Sequence, residues 1–246
     1  MTVTQVLVIA GAFIVAGIAK GAIGMGLPPI ALALMSFAVP LGDALALMVV
    51  PSMATNVWQA IYGKGFLRLL RRFWTMAMTS VMALMLVAAG FGHLGSPMAI
   101  TWVGVILVVY STMALTAWRP SVSRATERWA NPLIGLASGA VAGVTGVAAV
   151  PFLPYMQSLD IDRHDLVQAL GIMFLFIIGA LTVALALQGA FDSANNLVGA
   201  ILAIVPTFAG VWLGQKARQA VSAETFPRIF LIGMFAVGLH MARGLL

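Results

Sequence analysis

The chain contains no cysteine, and only 7 of its 246 residues are Asp or Glu against 13 Lys and Arg. The first absence excludes disulfides, thiol catalysis and thiolate metal sites. The second leaves no paired catalytic carboxylates. No Walker-type loop, HExxH or GxSxG is present, and the methionines fall at no metal-binding spacing, so the sequence predicts no enzyme, no cofactor and no metal centre. Charged residues make up 8% of the chain and hydrophobic ones 62%, with a mean hydropathy of +1.06. Soluble domains carry about a quarter charged residues, so this composition predicts an integral membrane protein with the lipid bilayer as its partner. From Phe73 to Trp118 there is no Asp, Glu, Lys or Arg, room for two spans separated by a turn at Gly92–Pro97. The pI near 10.5 does not point to nucleic acid, because the Lys and Arg residues sit in short loops between apolar runs. The N-terminus lacks a basic region, and its first apolar stretch reads as a retained span.

A repeat organises the rest. Gly17, Gly21, Gly24, Pro29, Ser36 and Asp43 recur 122 residues later as Gly139, Gly143, Gly146, Pro151, Ser158 and Asp165. Six apolar spans are expected near 44–62, 73–92, 98–118, 166–187, 195–214 and 227–245, and the same shift lays the first three on the last three. Residues 1–122 and 123–246 therefore read as two transmembrane repeats within one membrane domain. Each opens with a unit, about 3–42 and 131–164, that is too long for one span and is broken by glycines and then proline.

Charge placement decides how those units cross. The loops bearing Lys64, Arg68, Arg71 and Arg72, then Arg119, Arg124 and Arg128, then Lys216 and Arg218, belong on the cytoplasmic side. The loop Gln188–Ala194 carries only Asp192 and belongs outside. These assignments hold together if each opening unit is a helical hairpin that enters and leaves on one face. The expected fold is all-α and polytopic: two inverted repeats, each a glycine-broken hairpin followed by three transmembrane helices, with both termini external. If each unit were instead a single span, Lys216 and Arg218 would be translocated.

Lys20 is the residue hardest to explain away. It stands deep in an apolar segment, where a Lys costs roughly 2.5–3.5 kcal/mol at the bilayer centre. Its repeat counterpart is Ala142, so the charge is not required to build the bend. Either a ligand compensates it or the chain snorkels to an interface. Breaks at Gly21, Gly24, Met25 and Gly26 and at Gly143, Thr145, Gly146 and Val147 would expose backbone N–H groups at the start of a half-helix, where anions bind; small-residue helix packing explains the same glycines. Ser52, Thr55, Asn56 and Gln59 share one helix face, which either coordinates a ligand or joins helices, and Gln168 lies one turn into its span. Pro51 predicts a kink in the same helix. The expected substrate site comprises Lys20, both bends, Asn56 and Gln168. Thr55, Gln59, Asp43 and Asp165 are the candidates for gating or proton coupling, although the two Asp residues also suit helix N-caps. His93 and His240 read as solvated and interfacial. Trp58, Tyr62, Trp74, Trp118 and Trp129 fit an aromatic belt.

The segments Gly17-Ile-Ala-Lys-Gly-Ala-Ile-Gly-Met-Gly-Leu-Pro, Pro51-Ser-Met-Ala-Thr-Asn-Val-Trp-Gln and Gly139-Ala-Val-Ala-Gly-Val-Thr-Gly resemble the duplicated signatures of the sulfite exporter TauE/SafE family. The resemblance implies secondary transport across the bacterial inner membrane with sulfite, organosulfonates or related small anions as substrates. It points to Gly21–Gly26, Thr55-Asn56 and Gly143–Gly146. Lys20 and Met25 stand where many members carry further glycines, so the substrate need not be sulfite. Protons as coupling ion and a second copy of the chain are further candidate partners. A divalent-cation permease and a non-transporting membrane scaffold are the alternatives from other classes.

Overall fold

The computed structural model describes residues 3–90, 97–116, 122–148, 150–192, 194–220 and 225–243. The expected turn containing His93, and Trp118 and Arg119, lie outside them. Helices joined by short turns make up the described residues, which contain no strands. Val3–Ile23 (α1) and Leu27–Met35 (α2) form the first broken unit, followed by Leu41–Ile61 (α3), Phe66–Gly90 (α4) and Pro97–Leu115 (α5). Arg124–Thr145 (α6) and Phe152–Ser158 (α7) form the second, followed by Arg163–Leu187 (α8), Ala194–Leu202 (α9), Ile204–Ala220 (α10) and Thr225–Ala242 (α11). Five stretches among the described residues are long and apolar enough to cross a membrane: α1, α3, α4, α8 and Asn196–Ala217, which runs through the break between α9 and α10. The chain is a multi-pass membrane protein.

Most expected spans lie within a few residues of these helices. The second broken unit differs, because α6 begins at Arg124 and not near 131. Its first turns carry Arg124, Glu127 and Arg128, which read as loop; Glu127 is nevertheless buried, held at both carboxylate oxygens by Arg72 at 2.8 and 2.6 Å. A paired, hydrogen-bonded charge is tolerated inside where a lone one is not. Pro51, where a kink was expected, lies inside α3, which runs on to Ile61.

The chain divides into two compact units, each drawing helices from both halves of the sequence. The first comprises residues 1–52, 95–115 and 189–246, and the second comprises 53–94 and 116–188. In the first, α1 packs on α10, α5 on α11, and α2 folds back on α1. In the second, α4 packs on both α6 and α8.

Glycine decides both main packings. A Cβ on Gly17 or Gly21 would collide with the carbonyl oxygen of Thr207 or Val211 on α10, and one on Gly210 or Gly214 with those of Ile14 or Ile18 on α1. In the second unit a Cβ on Gly139 would meet the Ser80 carbonyl, and one on Gly143 the Leu84 carbonyl at 2.8 Å. Thr207 lies 127 residues after Ser80, as Val211 does after Leu84, five more than the 122-residue shift between the broken units. The offset locates five extra residues before α9 in the second half.

Each broken unit also closes at its base. In the first unit the Gln5 side chain donates to the Ala38 carbonyl at 3.3 Å, and Phe37 stacks on His240. In the second, Val122 N–H donates to the Ser158 carbonyl at 3.2 Å. Both are therefore hairpins whose two ends lie at one level.

The substitution Gly139→Leu is expected to cost about 3 kcal/mol or more, since backbone and not a flexible side chain must move. Gly11→Leu, where no atom lies within 4 Å of the added Cβ, is expected to leave stability nearly unchanged. Thermal unfolding in detergent compares the two.

Candidate functional site

In the first compact unit, Gly24 N–H closes α1 on the Lys20 carbonyl at 2.7 Å. The chain then passes through left-handed backbone at Gly24 and Gly26, with φ of 88° and 99°, conformations that side chains with a Cβ rarely adopt. The second bend repeats that closure: Gly146 N–H bonds the Ala142 carbonyl at 2.7 Å, with φ of 74° at Gly146. Ser36 and Ser158 end the short helices alike, each hydroxyl donating to the carbonyl three residues back at 2.7 Å. One backbone plan is thus built once with Lys20 and once with Ala142, so the ammonium is an addition to the bend and not a part of it.

The bends differ in what they offer a ligand. Lys20 is buried in the last turn of α1, where the negative end of the helix dipole favours a cation. α2 opens with Leu27, Pro28 and Pro29, so two of the amide donors that a helix start ordinarily presents are missing. Buried Met25 lies in the turn, and Tyr110 on α5 donates its hydroxyl to the Met25 sulfur at 3.3 Å. In the second unit, Thr145 staples its own bend. Its hydroxyl donates to the Val141 carbonyl at 2.8 Å and accepts from Val147 N–H at 3.2 Å, so the amides of Gly146 and Val147 are both engaged locally.

The polar stripe on α3 and the start of α8 belong to the second unit from Met53 onward. Thr55 and Asn56 are buried there. Gln59 donates to the Val167 carbonyl at 2.8 Å, and Gln168 answers by donating to the Ala60 carbonyl at 2.7 Å while accepting from Gly65 N–H at 3.1 Å. These two carboxamides fasten the end of α3 and the following turn to α8. Beside them a cavity of about 500 Å³ is lined by Tyr62, Lys64, His164, Asp165 and Gln168.

Neither Asp43 nor Asp165 is the N-cap. Asp162 caps α8, accepting from His164 N–H at 2.9 Å and Asp165 N–H at 3.0 Å. The Asp165 amide, above all, holds the Asp162 carboxyl below the usual carboxylate range. Asp165 sits in the first turn, paired with Arg68 at 2.5 Å. Asp43, in the first turn of α3, accepts instead from the carboxamide of Asn196 at 3.0 Å in the first unit.

Within the first unit the structure thus gathers Lys20, Gly21, Gly24, Met25 and Gly26 at one bend, with Asp43 at the hairpin base. Within the second it gathers Gly143, Thr145, Gly146 and Val147 at the other, and joins Gln59 to the α8 segment holding Asp165 and Gln168. Sequence reasoning missed Tyr110, whose only signal was a hydroxyl inside an uncharged run, and the partners Arg68, Asn196 and Arg72, which no local pattern reveals. Among the described residues, no three His, Asp or Glu stand close enough together to hold a metal ion.

The sulfite exporter TauE/SafE family model matches residues 9–241. The chain belongs to the sulfite exporter TauE/SafE family. The match takes in both bends and every helix from α2 to α10 in full. Membership in this transporter family makes the chain a membrane transporter of the class that carries sulfur anions. Comparison with curated proteins and with solved structures gave no match.

Replacing Gln168 by Leu removes one donor and one acceptor from buried backbone partners and is expected to destabilise this TauE/SafE protein by about 2 kcal/mol. Gln168→Glu keeps the acceptor for Gly65 and loses the donor to Ala60. Thermal unfolding of both variants in detergent ranks the two bonds.

Proposed function

We propose that the protein is a secondary exporter of small sulfur-containing or carboxylate anions across the bacterial inner membrane, working by alternating access, with Lys20 as the group that selects negative charge. Family membership supports the transport class. The observation that carries the anion reading is the buried ammonium of Lys20 at a bend whose twin is built without it. A ligand of opposite charge offsets the desolvation of a buried cation, and the paired prolines of α2 leave this side chain, more than backbone amides, to supply the attraction. Gly24, Met25 and Gly26 shape the approach. Thr145 and Gln168 keep the second bend and α8 in register, and Thr55 and Asn56 add polar lining to their helix. An inside-negative potential expels an anion with about 2.3 kcal/mol per charge per 100 mV, so export needs no nucleotide.

The inverted arrangement of the two repeats belongs to the same proposal and has its own test. Because the chain has no cysteine, single cysteines can be added without a background. Lys64→Cys is expected to react with an impermeant reagent only from the cytoplasmic side, and Gln5→Cys and Ala190→Cys only from outside. Labelling of all three from one side refutes the inverted topology.

For function, purified protein in liposomes is expected to pass sulfite or an organosulfonate down an imposed gradient. Lys20→Ala is expected to reduce that flux at least tenfold, with Lys20→Arg retaining more of it. Undiminished flux through Lys20→Ala removes this residue from the mechanism.

A further inference from the structure

We infer that Tyr110 is a second substrate ligand at the first bend: a hydrogen-bond donor that rests on the Met25 sulfur when the site is empty and turns to an oxygen of the bound anion when it is filled. The inference rests on the proposed anion transport and adds to it a donor that selects oxygen-bearing anions. Three observations converge on it. Tyr110 lies on α5, is 5% exposed, and donates to the Met25 sulfur at 3.3 Å, so its hydroxyl reaches the bend that follows Lys20. Thioether sulfur is a weak acceptor, whereas burying a hydroxyl without a good acceptor is unfavourable. An anionic oxygen makes a shorter and stronger bond with the same donor. A tyrosine kept against sulfur therefore holds hydrogen-bonding capacity in reserve, which a phenylalanine of almost the same shape would not.

The second observation is asymmetry. The two hairpins share their closing bonds and terminal serine bonds but differ in polar equipment, Thr145 at the second bend being spent on its own backbone. Lys20 is answered by Ala142 and Met25 by Val147. The matching stretch of α11, residues 232–237, contains no hydroxyl at all. Packing alone gives no reason for three differences of this kind to fall on the same bend. Recognition of a ligand does: one cation supplies charge, one phenol supplies direction, and one flexible thioether supplies a temporary partner that yields when the anion arrives.

The third observation is the pair of prolines. Pro28 and Pro29 remove two amide donors from the start of α2, so side chains carry more of the recognition at this bend. Tyr110 brings a hydroxyl onto the turn.

The test is a binding titration on purified full-length protein with sulfite, sulfate and methanesulfonate as oxyanion probes and chloride as the control. Tyr110→Phe is expected to weaken the strongest oxyanion response about ten- to hundredfold and the chloride response less, the loss of one charge-assisted hydrogen bond. Met25→Leu removes the resting acceptor that competes with the anion for the hydroxyl and is expected to tighten oxyanion binding. Thermal unfolding of the unliganded variants serves as the structural readout, and both are expected to stay near wild type. Equal oxyanion binding by wild type and Tyr110→Phe overturns the role of Tyr110 and leaves the transport reading standing. Equal weakening by Tyr110→Phe and Met25→Leu, or a matching loss of unfolding temperature, shows a packing pair and overturns the inference. A wild-type protein that responds to none of the oxyanions overturns the transport reading itself.

Discussion

Backbone-to-backbone approach at glycine is the constraint on which the structure depends. In lipid, apolar side chains gain little by leaving their surroundings for one another, so helices associate where small residues let their main chains touch. Gly17 and Gly21 meet the carbonyls of α10, and Gly139 and Gly143 meet those of α4. Each contact joins a hairpin from one half of the sequence to a helix from the other, and this explains why neither compact unit coincides with a sequence half. The same glycines that read as anion-site candidates are thereby occupied in holding helices together. The turn itself falls to Gly24, Gly26 and Gly146, whose backbone is left-handed.

The two hairpins share a backbone plan and differ in their side chains. Closing bonds and terminal serine bonds persist in both hairpins, whereas the groups able to address a ligand do not. Lys20, Met25 and Tyr110 collect at the first bend, and Thr145 closes the second upon itself. A parallel divergence separates Asp43 from Asp165. The first meets a neutral carboxamide and the second a guanidinium, although the two occupy the same repeat position. Charge has thus been distributed unevenly over a frame that remains nearly even.

The hairpins were legible because glycine and proline act locally: Gly24 and Gly146 sit where the helices stop, and Pro28 and Pro151 where the next ones begin. Positions whose meaning depends on a distant partner were not legible. The start of α6 was missed because Glu127 looks like loop until Arg72, 55 residues earlier, is seen to hold it. Asp165 passed for a cap because the spacing cannot tell whether a carboxylate turns back to its own helix, as Asp162 does, or outward to Arg68. Gln168 was expected to face a ligand, and its two hydrogen bonds to Ala60 and Gly65 show how a buried carboxamide can be engaged by backbone from another helix. Tyr110 escaped notice since nothing within α5 distinguishes its hydroxyl from an ordinary membrane aromatic.

The bonds that fasten the feet of each hairpin have a mechanical consequence. Gln5 bound to Ala38, and Val122 bound to Ser158, fix the two legs at a common point. A loop anchored in this way does not lengthen or unzip cheaply, because sliding one leg past the other breaks hydrogen bonds where few substitutes exist. Near the tip the glycine contacts clamp each hairpin a second time, to α10 in one unit and to α4 in the other. Held at foot and tip alike, a hairpin can tilt only by carrying its partner helix with it.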